Sequence, residues 1–139
     1  MLPHYKIIFS NPSCTICFSS TTLGQNLLLV VQTQFQQRML NLYGTEITLL
    51  DATYDTTKYH LPLYQLAVST NIGYLIVGSF FVANENKETL KEALGVLAAW
   101  NSTWSPKAWM TDFDRREIGA IEGIFPGIQK CLHNITNKL

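Results

Sequence analysis

Leu49-Leu50-Asp51-Ala52-Thr53-Tyr54 decides the reading of this chain, together with the later stretch Trp109-Met110-Thr111-Asp112-Phe113-Asp114. In each, an apolar run stops at a carboxylate, and an apolar run bounded by polar residues reads as a buried strand. A carboxylate buried in mid-strand would carry a heavy desolvation cost. One at a strand end can face a cleft. Two acids on neighbouring strand ends offer the oxygen ligands that a hard cation takes in phosphoryl-transfer chemistry.

Outward from the first stretch, residues 46–51 form one strand and residues 61–69 a second, with Pro62 near its start, where a missing N–H is tolerated. Asn71-Ile72-Gly73 makes a turn into a third strand over 74–82, so these two form a hairpin. Leu90, Leu94 and Leu97 then give a helical stripe over 86–100, and Ala93, Gly95, Ala98 and Ala99 allow close packing on a sheet. Residues 101–106 are a loop, and a short strand over 107–111 ends at Asp112. Asp114 caps the next helix with Glu117 as its capping-box partner, and Ile118, Ile121 and Phe125 supply the buried side. Pro126-Gly127 stops that helix before a fifth strand over 128–132. The order β-β-β-α-β-α-β indicates an α/β domain with helices packed on a mixed sheet. It is the order of a ribonuclease-H-like domain.

Upstream, residues 27–31 are strand-like and lead into an N-terminal helix whose Phe35, Met39 and Leu42 read as its core-facing stripe. Gly44 suits a left-handed position closing that helix. Residues 1–26 show no sustained period, which favours a loop or poorly structured terminus ahead of one domain over 27–139.

The chain of 139 residues is long enough for one core. Only 14% of its residues are charged, against about 25% in an ordinary soluble domain. That shortfall suggests a surface covered by a partner. Ten Lys and Arg balance ten Asp and Glu, so no global basic field draws in nucleic acid. No apolar run approaches the roughly 18 residues of a membrane span, and polar Ser10, Asn11 and Ser13 interrupt any signal-peptide core. Three cysteines suggest no disulfide framework, and the setting read from this is reduced and intracellular. Asn101-Ser102-Thr103 and Asn134-Ile135-Thr136 match a glycosylation triplet that is common by chance. Cys14 and Cys17 have half the spacing of a zinc knuckle, but their only later partners are Cys131 and His133, at a distant and irregular spacing. Incidental cysteines are the favoured reading.

The stretch from Leu50 to Leu63, with Asp51-Ala52-Thr53-Tyr54, Tyr59 and Leu61-Pro62-Leu63, resembles the first signature of Mutator-like (MULE) transposase domains, D-A-T-Y-x-T-x-x-Y-x-L-P-L. Asn84-Glu85 is similar to the family's N-E segment. Met110-Thr111-Asp112, followed by Ala120-Ile121 and Phe125-Pro126, is similar to its second signature. Gln32-Thr33 and Leu42-Tyr43-Gly44 fit the segment before the first strand. The resemblance runs from about Leu27 to Leu132.

It implies a ribonuclease-H-like fold and a D-D-E site that cuts and joins DNA with two Mg²⁺ or Mn²⁺. Asp51 would be the first acid and Asp112 the second, both catalytic and both metal ligands. Asp55 reads as solvated surface. The third acid of the family lies beyond the fifth strand and has no counterpart here, and Glu122 sits on the wrong helix to replace it. The resemblance therefore implies a truncated or domesticated domain lacking the C-terminal catalytic helix, with weak metal binding and no strand transfer of its own. The alternative is a non-catalytic module that binds protein or nucleic acid on the same fold. DNA is the implied partner, with a protein covering exposed sheet near residues 128–132 and an intracellular, nuclear setting. Poor solubility follows from the same uncovered surface.

Overall fold

Leu28, Val30 and Gln32 are buried while Leu29, Val31 and Thr33 are only partly so, the period-two pattern of a strand with one face on a core. The computed structural model describes residues 4–10, 13–21, 27–54, 58–112, 114–127 and 130–132. Its strands are β1 (His4–Ser10), β2 (Cys14–Thr21), β3 (Leu28–Thr33), β4 (Ile47–Thr53), β5 (Leu63–Thr70), β6 (Gly73–Val82), β7 (Ala108–Thr111) and β8 (Lys130–Leu132). Its helices are α1 (Gln34–Tyr43), α2 (Lys87–Trp100) and α3 (Arg115–Ile124). The strands form one mixed sheet in the order β1-β2-β3-β6-β5-β4-β7-β8.

Five of these strands, β6-β5-β4-β7-β8, reproduce the expected arrangement. The β4-β5 and β5-β6 pairs are antiparallel, and β7 and β8 then run parallel to β4. The fold is a ribonuclease-H-like α/β domain. The amino-terminal segment departs from expectation, because residues read as loop form the β1-β2 hairpin, which pairs onto β3 and widens the sheet. Backbone pairing along a sheet edge needs no strict apolar period, so Ser- and Thr-rich strands escape a periodicity reading.

Leu40 of α1, Leu90, Leu94 and Leu97 of α2, and Ala120 and Ile121 of α3 join one buried cluster with Leu28, Val30, Leu50, Tyr64, Leu66 and Phe80 of the sheet. Tyr64 and Phe80 stack with ring centroids 5.0 Å apart. Gly78 leaves room for Leu97, since a Cβ there would stand 3.3 Å from the leucine Cδ2. Between α2 and β7, Trp104 meets Trp109 and Phe125 in tilted and edge-on contacts. The other sheet face carries Leu49 and Ala67, both buried outside that cluster. The side chains of 128–132, where exposed apolar surface was expected, lie outside the described residues.

α1 corrects its expected stripe in part, for of Phe35, Met39 and Leu42 only Met39 packs against the core. Leu40 is 1% exposed and Tyr43 packs on the core, but Phe35 is 56% and Leu42 67% exposed. The helix starts from a capping box in which Thr33 Oγ1 accepts from Gln36 N–H and Gln36 Oε1 accepts from Thr33 N–H. That box sets where the helix begins, and packing on the sheet, with Gln36 Nε2 donating to the Ile76 carbonyl, goes with Leu40, not Leu42, facing inward. Gly44 is not left-handed either. Its φ is −80° and its amide donates to the Leu40 carbonyl. Glycine suits the position because a Cβ would sit 2.5 Å from that carbonyl oxygen.

Candidate functional site at the carboxyl ends of β4 and β7

In an open α/β sheet, sites gather at the carboxyl ends of parallel strands. The parallel pairing of β4 with β7 runs from Ile47↔Ala108 to Leu50↔Thr111, which makes Asp51 and Asp112 the next residues on the two strands. Adjacent strands lie about 4.8 Å apart, so the two backbones are direct neighbours there. Both side chains are partly buried. Asp51 also faces Gln65 across the antiparallel pair with β5.

Glu117 completes the local chemistry. It is 3% exposed, and its Oε2 accepts the Thr111 hydroxyl at 3.1 Å. Burial pushes its carboxyl up to about 7; the Thr111 hydrogen bond opposes this, while the nearby Asp114, Asp112 and Asp51 carboxylates add to it. The expected capping box is therefore half correct. Asp114 caps α3 by accepting from Arg116 N–H at 2.8 Å, but Glu117 turns inward to Thr111. Arg116 pairs with Asp114 at 2.8 Å and holds that carboxyl below its usual range.

A second carboxylate anchors the same end of the sheet. Glu85 Oε1 accepts from Tyr54 at 2.8 Å and from Tyr64 at 2.7 Å. Partial burial and then the Glu85 hydrogen bond push the Tyr54 phenol up to about 12, and the same causes in the same order raise Tyr64 further. Glu85 stands just before Asn86, whose side chain caps α2 by accepting from Thr89 N–H. Neither Glu85 nor Glu117 emerged as a site residue from sequence. Glu117 was hidden by its capping-box spacing, and Glu85 was visible only as part of a family segment.

Asp51, Asp112 and Glu117 supply hard oxygen atoms, which suits Mg²⁺ or Mn²⁺ in kind. They do not fit a two-metal site in number, because among the described residues no three His, Cys, Asp or Glu side chains are grouped to hold an ion. No catalytic step is assigned through a metal. Glu122 is exposed on α3, and Asp55 lies outside the described residues. The Cys14 and Cys17 strand, β2, and the Cys131 strand, β8, are six strand spacings apart, roughly 29 Å at about 4.8 Å each. Those cysteines cannot share a zinc ion within one chain.

Sheet order and acidic strand ends together define a ribonuclease-H-like domain. Residues 10–131 match the family described as "Zinc finger SWIM domain-containing protein 1/3, RNaseH-like domain", and the chain belongs to that family. Comparison with curated proteins and with solved structures gives no significant match. Among the described residues no helix is long and apolar enough to cross a membrane.

Proposed function

We propose that this chain is a domesticated Mutator-like transposase domain whose acidic strand ends descend from a metal-dependent DNA cleavage and strand-transfer site. The observation that carries the reading is the β4-β7 register, which makes Asp51 and Asp112 neighbours at the carboxyl ends of two parallel strands. The signatures around these residues support the Mutator-like assignment. In this reading Asp51 and Asp112 retain weak affinity for one Mg²⁺ or Mn²⁺, and the chain acts on DNA in the nucleus without cutting it. A two-metal in-line displacement needs ligands that clamp both ions about 3.5–4 Å apart, and two aspartates do not provide them.

A second reading is a purely binding module for protein or nucleic acid on the same fold. The turning of Glu117 away to Thr111 favours it, since that carboxylate is already engaged. The experiment that tests both readings against an active enzyme incubates purified chain and its Asp51→Asn variant with supercoiled DNA and Mg²⁺ or Mn²⁺. The expected result is no nicking above the variant's background. Nicking that depends on Asp51 would show an active enzyme and overturn both readings.

A further inference from the structure

An exposed aromatic ring stands beside the acidic strand ends. Tyr54, the residue after β4, is 54% exposed. Its hydroxyl is nonetheless held, donating to Glu85 Oε1 at 2.8 Å, and the same oxygen accepts from the buried Tyr64 at 2.7 Å. A ring tethered at its tip, with over half its surface in solvent, loses little entropy when something stacks on it.

A row of cations begins next to that ring. The charges of Glu117 and Arg116 both act on the Tyr54 phenol, which sets the first turn of α3 near it. From there two lysines of α2 lie across two glycines of α3. A Cβ at Gly119 would stand 3.0 Å from Lys87 Cδ, and one at Gly123 would stand 3.0 Å from Lys91 Cδ and Cε. With no side chain at either glycine, the lysine stems settle into the seam between the helices, about 6 Å apart, the rise of four residues. Both lysines are exposed, and among the described residues neither forms an ion pair. Glu88 and Glu92 each follow one of these lysines and Glu122 precedes Gly123, so the three acids stand about 100° round their helices from the seam residues.

We propose that single-stranded DNA follows this line, with one unpaired base stacked on Tyr54 and the adjoining phosphates on Lys87 and Lys91. This path rests on the reading of the chain as a domain acting on DNA, and it adds the residues and the strandedness. Unpaired strands are held by the same two devices, an aromatic face for a base and a line of positive charge for the backbone. A base inside a duplex offers no free face to Tyr54. The Asp51 and Asp112 carboxylates repel phosphate, so the backbone runs along the lysine seam and not over the strand ends.

Fluorescence anisotropy of labelled oligothymidylate with purified chain tests the path, in EDTA so that no divalent ion contributes. The expected result is reversible binding, tighter than that of a duplex of equal length. Tyr54→Leu should weaken it about fivefold or more, while Tyr54→Phe, which keeps the ring, stays within about twofold. In the Lys87→Gln, Lys91→Gln double variant the slope of log affinity against log salt should shrink by about 1.4, the share of two phosphate contacts. The altered side chains are exposed and glutamine keeps most of the lysine stem, so unchanged melting curves separate lost binding from lost folding. Full affinity in Tyr54→Leu, or an unchanged salt slope in the lysine variant, overturns the path and leaves the DNA reading standing. Duplex bound as tightly as the single strand overturns it too. Binding of neither form removes the path together with the reading on which it rests.

Discussion

The Thr111 hydroxyl donates to Glu117 Oε2 at 3.1 Å, tying the carboxyl end of β7 to the first turn of α3 beside Asp112. Because Glu117 is buried among other carboxylates, its folded value of about 7 exceeds the 4.5 of an ordinary glutamate. Between those values the unfolded chain has released the proton and the folded chain still holds it. Stability therefore falls as pH rises from about 4.5 to 7, and levels off above. Glu117→Gln keeps an acceptor for Thr111 and removes the titration. Urea unfolding from pH 5 to 8 should show the parent losing about 2 kcal/mol relative to the variant.

Glu85 joins Tyr64 of β5 to Tyr54, which stands just past the end of β4. Tyr64 is 1% exposed and hydrogen-bonds a carboxylate, so Tyr64→Phe should cost about 1–2 kcal/mol in chemical unfolding. Tyr54 is 54% exposed, and Tyr54→Phe should cost less than about 0.5 kcal/mol, because water replaces its partner. Ultraviolet titration of Tyr54, expected near 12, should move downward in Glu85→Gln, since the variant removes the charge that disfavours the phenolate.

A buried polar link ties β3 to the end of α2. Gln32 Nε2 donates to the Val77 carbonyl at 2.7 Å, and Asn101 Nδ2 donates to Gln32 Oε1 at 2.8 Å. Gln32→Leu fits the volume but leaves both groups without that partner. It should destabilise the domain by about 2–3 kcal/mol, measured by thermal or urea unfolding. Gln32→Glu should be worse, because it buries a charge.

Gly44→Ala should cost about 1–3 kcal/mol although the backbone there is ordinary for any residue. The added methyl would meet the Leu40 carbonyl oxygen at 2.5 Å and its Cδ1 at 2.7 Å. A left-handed glycine would instead lose stability through backbone strain and would tolerate Asn. Gly44→Asn should therefore be at least as damaging as Gly44→Ala, a difference that unfolding curves of the two variants resolve.

The central sheet was legible because each of its strands has its own apolar run ended by a turn residue or a carboxylate: Leu49-Leu50 before Asp51, and Trp109 before Asp112. The α2 stripe was legible for the same reason, with Leu90, Leu94 and Leu97 all buried. α1 misled because it carries two apolar stripes, and periodicity cannot say which of Leu40 and Leu42 faces the core. The seating of α1 on the sheet decides it, with Leu40 in the core and Gln36 bonded to the Ile76 carbonyl of β6. The β1-β2 hairpin was missed because its alternation is weak. Glu117 was missed because a residue three after an N-cap is normally a solvated cap partner, and it is instead buried with its carboxylate on the Thr111 hydroxyl.

The account rests on Asp51 and Asp112 acting as one acidic site, and Mn²⁺ titration of isotope-labelled chain followed by amide NMR tests this most directly. Paramagnetic broadening should be strongest around residues 51–53 and 111–112, appear only at about millimolar Mn²⁺ because two carboxylates bind weakly, and vanish in both Asp51→Asn and Asp112→Asn. Broadening centred elsewhere, or unchanged in either variant, would contradict a shared site at the ends of β4 and β7.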